Sequence, residues 1–208
     1  RRVLFRSITD YSGLSNNGTV SGTSFVKGVL GMSRYFAAVA TDYVAVADNS
    51  TLQLSTPMTV EAWFKAGAVP TANTAIVRKD TKTGTRYMWA LLYNATGYIN
   101  AQYYNGVNFT VQSLHTVFDN QWHYAASVIS GTTISLYLDG MFQGSTTITG
   151  TQGSPTGELD FGCNPDFNGG TGRASGYTGF VDEVRISKVA RTASEISQAY
   201  EAGLRTHP

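Results

Sequence analysis

The sequence has few charged residues, and they are scattered along the chain. Charged side chains make up 14% of the 208 residues and the formal net charge is +1, whereas an average globular domain carries about 25% charged residues. No cluster of lysine and arginine occurs that would neutralise a row of phosphates, so we expect no nucleic-acid partner. No apolar run reaches the roughly 18 residues that a membrane-spanning helix requires, so we expect no membrane insertion.

Cysteine and histidine are scarce, which limits the available chemistry. The single cysteine, Cys163, has no partner for an internal disulfide, and a free cysteine usually packs as a small buried apolar residue. The histidines are His115, His123 and His207. Their positions match neither a zinc-ligand cluster nor a catalytic triad with an evident partner. We expect His123 to be a hydrogen-bonded residue of the core.

Glycine-marked turns separate short segments of alternating polarity. Asn105-Gly106 and Asp139-Gly140 are the strongest turn signals, because both dipeptides tolerate the positive φ angles of two-residue hairpins. Between such turns, apolar and polar residues alternate with the period of a β-strand. About a dozen strands are predicted, including residues 42–46, 59–65, 74–78, 86–93, 98–104, 109–114, 123–129, 133–139, 142–148, 158–162 and 179–187. This pattern predicts an all-β protein, a two-sheet antiparallel β-sandwich.

One short C-terminal helix is also predicted. Thr192 and Glu195 have the spacing of a capping box, and Gly203 is expected to end the helix. We expect a single domain over residues 8–203 and a tail over 204–208. Residues 1–7 resemble a translated sequencing adapter, and we expect them to be a scar; Val3 to Phe5 forming a makeshift first strand is the alternative.

Several segments, in consistent order, resemble a known family. NQWHYAASVISGTTISLYLDG (120–140) carries a Trp-His pair and a Leu-Tyr-x-Asp-Gly hairpin, and GFVDEVRISKVARTASEI (179–196) resembles a last strand and closing helix. TVEAWFK (59–65), DYSG (10–13) and GVLGMSRYF (28–36) resemble the early segments. Together these motifs resemble the bacterial laminin-G-like, concanavalin A-like lectin and glucanase domains. The resemblance implies a jelly-roll sandwich. We expect Trp63 and Trp122 to pack in the core, because large aromatic side chains contribute the most buried area per residue.

The resemblance also implies a structural calcium ion. Family members often hold calcium where the opening segment meets the last strand, which here corresponds to Asp10 and Asp182, with backbone carbonyls completing an oxygen shell. The alternative is that Asp10 makes an Asx turn and Asp182 caps a loop. Asp160, Asp166 and Asn168 are a second, looser group of acids and amides.

Catalytic carboxylates are not evident. Retaining glycosidases on this kind of sandwich share a Glu-x-Asp-x-x-Glu strand that points its carboxylates into one groove, and the sequence lacks that motif. Asp182 and Glu183 are adjacent, so on a strand they point to opposite faces. We therefore expect no enzyme activity, with a degenerate glycoside hydrolase as an alternative.

Two tyrosine-rich strands suggest a sugar-binding platform. Tyr87, Trp89 and Tyr93 share one face of a central strand. Asn100, Gln102 and Tyr104 share one face of the next. Flat rings with amides beside them would suit the apolar side and the hydroxyls of a pyranose. The competing interpretation places Trp89 in the core.

These observations predict a non-catalytic carbohydrate-binding or adhesion module. We expect it to be a secreted, monomeric module within a larger extracellular or cell-surface protein, with a polysaccharide, a glycan or a cell-surface protein as partner. The alternatives are a structural or protein-interaction spacer without a sugar site and, less favoured, a phage fibre domain.

Overall fold

A computed structural model describes residues 7–37, 39, 41–81, 87–153, 155–165 and 173–206. For residues 7, 87, 165, 174 and 175 only the backbone is described. The alternative strand at Val3 to Phe5 lies outside the described residues, as do Asp166, Asn168 and His207. In the described part, no helix is long and apolar enough to span a bilayer.

Strands dominate the described part of the chain, and one α-helix follows them. The elements are β1 (Ser7–Ile8), β2 (Gly18–Ser21), β3 (Ser24–Lys27), β4 (Met32–Ala37), β5 (Tyr43–Val46), a 3₁₀ turn (Ser50–Leu52), β6 (Met58–Ala66), β7 (Thr74–Asp80), β8 (Tyr87–Tyr93), β9 (Ile99–Tyr104), β10 (Asn108–Gln112), β11 (His123–Ser130), β12 (Thr133–Leu138), β13 (Met141–Thr147), β14 (Leu159–Phe161), β15 (Cys163–Pro165), β16 (Arg173–Gly176), β17 (Thr178–Ser187) and α1 (Ala193–Thr206).

Two large antiparallel sheets stack to form a β-sandwich, which confirms the predicted fold class. The eight-stranded sheet has the order β1-β2-β5-β14-β7-β8-β9-β10 and the seven-stranded sheet the order β13-β12-β11-β6-β17-β4-β3. A two-stranded sheet of β15 and β16 accompanies them. Most predicted strands are present. The pattern missed the strands β1, β2, β3, β4, β15 and β16, none of which is longer than six residues.

The apolar core lies between the two large sheets. Val60, Ala62 and Phe64 alternate along β6 and are at most 2% exposed. Leu91 and Tyr93 of β8 meet them from the other sheet and are 0% exposed. Because side chains alternate across a strand, the intervening residues of each strand point away from this core. The sandwich therefore has two outward faces, one on each large sheet.

The hairpin at Asp139-Gly140 confirms the predicted turn and fixes His123. Asp139 and Gly140 have φ angles of 52° and 76°, as a type I′ turn requires. His123 lies between two carboxylates, with Nδ1 2.7 Å from Asp139 Oδ2 and Nε2 3.0 Å from Asp119 Oδ1. Although burial opposes it, these carboxylates raise the pKa of His123. The prediction of a hydrogen-bonded core histidine is confirmed.

Helix α1 begins as predicted and ends later. The backbone N–H of Thr192 donates to Glu195 Oε2 (2.7 Å) and that of Glu195 donates to Thr192 Oγ1 (3.3 Å), which confirms the capping box. The predicted end at Gly203 is wrong, because α1 continues to Thr206. Gly203 is instead the point where the helix packs against the indole of Trp63. Residues 204–206 of the predicted tail therefore extend the helix.

Candidate functional site

The outward face of the eight-stranded sheet carries polar side chains on both sides of strand β8. The register aligns Asp160 with Arg78, Arg78 with Ala90, Ala90 with Gln102, and Gln102 with Thr110. Residues that pair across antiparallel strands lie on the same face, and the core lies on the other. We refer to this surface as the polar face, formed by Arg78, Ala90, Leu92, Asn100, Gln102, Thr110, Gln112 and Asp160.

Carboxamides line the β9–β10 half of the polar face. Asn94 Nδ2 donates to Gln112 Oε1 (3.1 Å) and to Asn100 Oδ1 (3.4 Å). Gln102 Nε2 donates to Thr110 Oγ1 (3.1 Å). Asn100 and Gln102 are 6% and 5% exposed, whereas Thr110 and Gln112 on the edge strand are exposed. The amides are thus oriented by one another and open to solvent at β10.

Ion pairs occupy the β7–β14 half of the same face. Arg78 Nε donates to Asp80 Oδ1 (2.7 Å), and Arg78 Nη1 donates to Asn164 Oδ1 (3.3 Å) of β15. Arg173 of β16 contacts Asp160 Oδ1 at 2.6 Å. The two-stranded sheet therefore reaches over this half of the face and binds both of its charged strands.

Burial perturbs the carboxylates of this cluster. Asp160 is 0% exposed, and its Oδ2 has no hydrogen-bond partner in the described part of the chain. Burial raises the pKa of Asp160 to about 6, in spite of the nearby guanidinium of Arg173. Burial also raises the pKa of Asp80, against the opposing effect of Arg78. An unpaired buried oxygen carries a desolvation cost of about 1–3 kcal/mol or more.

Each carboxylate of this cluster is paired with a guanidinium. A retaining glycosidase needs one carboxylate as nucleophile and another as acid, about 5 Å apart. Here Asp80 is paired with Arg78, and Arg173 bridges Asp160 and Glu158, with Nη2 3.0 Å from Glu158 Oε2. In the described residues each of these acids is held by a guanidinium. Among these described acids, a carboxylate free of a guanidinium, as a nucleophile would be, is not evident.

The sequence did not reveal this charged cluster as a unit. The alternation of Glu158 and Asp160 around Leu159 was an available signal, because it places both acids on one face of a strand. The partners Arg78 and Arg173 come from strands that pair through long-range topology, and no sequence pattern links them.

The predicted aromatic platform requires a correction. Trp89 and Tyr93 are 2% and 0% exposed and belong to the core between the sheets. Leu92 pairs with Asn100, so Trp89 and Asn100 lie on opposite faces of the sheet. The competing interpretation, with Trp89 in the core, is the one that agrees with the structure.

The remaining platform residues are placed as follows. Asn100 and Gln102 lie on the polar face, as described above. Tyr104 ends β9 opposite Asn108 and is partly exposed. Tyr87 begins β8, but its side chain lies outside the described set. The predicted ligand-binding set is therefore split between the core and the polar face.

The predicted calcium ligands are engaged with N–H and O–H donors. Asp10 accepts from the backbone of Ser12 (2.8 Å) and of Asn16 (2.9 Å), which is an Asx turn. Although burial opposes it, these bonds lower the pKa of Asp10. Its Oδ2 also accepts from the Ser12 hydroxyl (2.8 Å).

Asp182 is similarly committed to the backbone. Its Oδ2 accepts from Val29 N (2.7 Å) and Leu30 N (3.1 Å), and its Oδ1 accepts from Glu183 N (2.9 Å). N–H groups that point at these oxygens would repel a cation at the same position. Among the residues described, no group of three or more His, Cys, Asp or Glu is placed to hold a metal ion. The donor set as arranged does not fit calcium, and the calcium prediction stays untested by binding.

Comparison with known families agrees with this fold. A laminin-G family model, described as "Concanavalin A-like lectin/glucanases superfamily", matches residues 38–197. The chain belongs to this superfamily. The match includes β5 to β17 and hence every strand that contributes to the polar face. No curated protein sequence matches the chain.

Solved structures share this superfamily's fold at low sequence identity. The chain is similar to the binding domain of Paraclostridial Mosquitocidal Protein 1 (TM-score 0.78, 15% identity, 96% of this chain and 50% of that one). It is also similar to domain 4 of AbnA, an extracellular arabinanase from Geobacillus stearothermophilus, solved with arabinotriose (TM-score 0.72, 17% identity, 87% and 86%). A third is the receptor-binding domain of botulinum neurotoxin type G (TM-score 0.69, 12% identity, 93% and 48%). The chain spans about half the length of the two toxin domains.

Proposed function

We propose that this superfamily member is a non-catalytic binding module that holds a glycan on its polar face. The observation that carries the proposal is a buried set of amides and charges on a sheet face that the core does not use. Asp160 and Arg78 are 0% and 1% exposed. Burying charges is costly even when they are paired, and packing between the sheets does not require them there.

The chemistry of the polar face suits sugar hydroxyls. Carboxamides both donate and accept hydrogen bonds, and those of Asn100 and Gln102 are held in place by neighbouring side chains. Between the amide and ionic halves, Ala90 and Leu92 form a small buried apolar cluster with Ala75. A sugar ring has both an apolar side and a rim of hydroxyls, so it matches this combination.

The similar structures support the same proposal. Two of them are described as binding or receptor-binding domains, and the arabinanase domain was solved with a bound oligosaccharide. Each of those ligands belongs to the protein that binds it. What the three structures share is a binding role carried by this fold. We therefore infer that the chain acts as a module of a larger extracellular protein, with a glycan or a glycosylated surface protein as its partner.

A glycan array followed by calorimetry tests the proposal. Arabinotriose and a broad panel of polysaccharide fragments are screened first, and the tightest binder is titrated into the protein. Thr110→Val removes one exposed hydroxyl at nearly constant volume. Gln102→Ala removes one carboxamide. Each variant is expected to weaken binding about two- to tenfold, which corresponds to one lost hydrogen bond.

The matched control is Gln198→Ala on helix α1, which removes the same carboxamide from a position remote from the polar face. It should bind as the wild type does. A silent array, or variants of the polar face that bind with unchanged affinity, would contradict the proposal.

A further inference from the structure

A second outward face, that of the seven-stranded sheet, is only partly covered. Helix α1 packs over Trp63 and Tyr124, and Tyr200 of the helix stacks on Trp63 with ring centroids 5.6 Å apart. Beyond the helix, three aromatic residues, Tyr35, Phe180 and Trp122, remain half-buried. Trp122, expected to be core packing, thus lies on the outward side, beside the cluster beneath the helix.

These three rings form a row together with one lysine. Phe180 of β17 pairs with Tyr35 of β4 on one side and with Lys65 of β6 on the other, so the three side chains share a face. The rings of Tyr35 and Phe180 are 5.0 Å apart, and those of Phe180 and Trp122 are 6.0 Å apart. Their planes are tilted by 44° and 53°. We call Tyr35, Phe180, Trp122 and Lys65 the aromatic row.

Lys65 brings an ammonium group to the aromatic row. Its Nζ lies 5.7 Å from the Phe180 ring centroid, and among the described residues no carboxylate forms a salt bridge with it. On the neighbouring strand β17, the oxygens of Asp182 accept three backbone N–H groups. Because Lys65 forms no salt bridge with a described residue, it can pair with an anion from outside the chain.

We propose that the aromatic row is a second binding surface, which takes an acidic glycan. A sugar ring would stack its apolar side on the rings, while its carboxylate or sulfate would pair with Lys65. The complementarity has two parts: aromatic surface attracts polarised C–H groups, and an ammonium group attracts an anion. The proposal does not depend on the polar face, which belongs to the other sheet.

Fluorescence anisotropy with labelled tetragalacturonate tests this site. The fully methyl-esterified tetramer keeps the sugar rings and removes the charge, and a chondroitin sulfate tetrasaccharide tests sulfate in place of carboxylate. We expect at least one of the two acidic probes to bind, and the esterified tetramer to bind at least about tenfold more weakly. Binding should also weaken as salt is added, since an exposed ion pair is screened.

Matched variants assign the binding to the aromatic row. Phe180→Leu keeps apolar volume but removes the flat ring, and Lys65→Gln removes the charge; each should weaken binding of the acidic probe at least about tenfold. Lys188→Gln removes an exposed lysine elsewhere and should have no effect. Gln102→Ala on the polar face should have none either, so the two proposals fail independently.

Thermal unfolding confirms that each variant is folded, and Tyr35→Leu replaces Phe180→Leu if the latter is not. Two results overturn the proposal: neither acidic probe binds, or the folded ring variant and Lys65→Gln both bind as tightly as Lys188→Gln does.

Discussion

Replacing Gly203 with alanine tests how helix α1 sits on the seven-stranded sheet. A Cβ built on Gly203 would lie 2.6 Å from Trp63 Cε2 and 2.8 Å from Nε1, and closer still to Cζ2. The indole is 4% exposed and is stacked on Tyr200, so it has little room to move. The helix therefore approaches the sheet as closely as it does because residue 203 has no side chain.

Two opposing effects determine the sign of this change. In a free helix, alanine is favoured over glycine by about 1 kcal/mol. Overpacking a well-filled interior costs about 1–3 kcal/mol, and contact with a rigid, buried ring favours the upper end of that range. The free energy of unfolding should therefore fall by about 2 kcal/mol.

Urea unfolding at 25 °C measures the effect. Glu201→Ala, at an exposed position of the same helix, is the control and should stay within about 0.5 kcal/mol of the wild type. Trp63→Phe lacks the three indole atoms that the new Cβ would meet. In that background Gly203→Ala should lose its destabilising effect, and a double-mutant cycle measures the coupling. If Gly203→Ala stabilises the protein by about 1 kcal/mol, as in a free helix, the packing described is wrong.

Three further predictions concern pH and metal. The carboxyl of Asp160 should titrate near pH 6 by carbon NMR, because it is buried; titration below pH 4 contradicts that burial. Despite burial, Asp139 and Asp119 raise the folded-state pKa of His123 above its usual 6.5. The stabilisation it contributes is therefore complete below about pH 6.5 and is lost as pH rises through the folded pKa. The stability difference between wild type and His123→Asn should shrink over that window, and a constant difference refutes it. Because the oxygens of Asp10 and Asp182 are already engaged, EDTA should leave Tm unchanged; a clear drop, reversed by calcium, would restore the calcium prediction.

Strand alternation predicted most of the sandwich from the sequence. Segments such as β6 and β12 alternate apolar and polar residues with little interruption. The two-residue alternation alone therefore identified the residues that face the core. The capping box of Thr192 and Glu195 likewise located the start of α1. These signals depend only on residues that are close in the sequence, so they can be recognised without knowing how the strands pair.

The register between neighbouring strands could not be predicted from the sequence in this way. Whether Trp89 shares a face with Asn100 depends on the register of β8 against β9, and a shift of one residue reverses the answer. The helix end was mispredicted because Gly203 serves close packing against Trp63, and glycine ends a helix only where the backbone turns away.

The charged cluster shows the same limit over a longer distance. Asp160 and Arg78 become neighbours because β14 pairs with β7, although about two-fifths of the chain separates them in sequence. Arg173 joins them only through the two-stranded sheet. Each of these charged residues is visible in the sequence, but its ion-pair partner is determined by which strands pair in the fold.

The most direct test of the account is amide NMR of the ¹⁵N-labelled protein titrated with the tightest oligosaccharide from the array. We predict chemical-shift changes concentrated on β9 and β10, with Asn100, Gln102 and Thr110 among the most affected. Saturable binding with those amides unmoved, and shifts confined to α1 or to the ends of the sandwich, would contradict the assignment of the polar face as the glycan-binding surface.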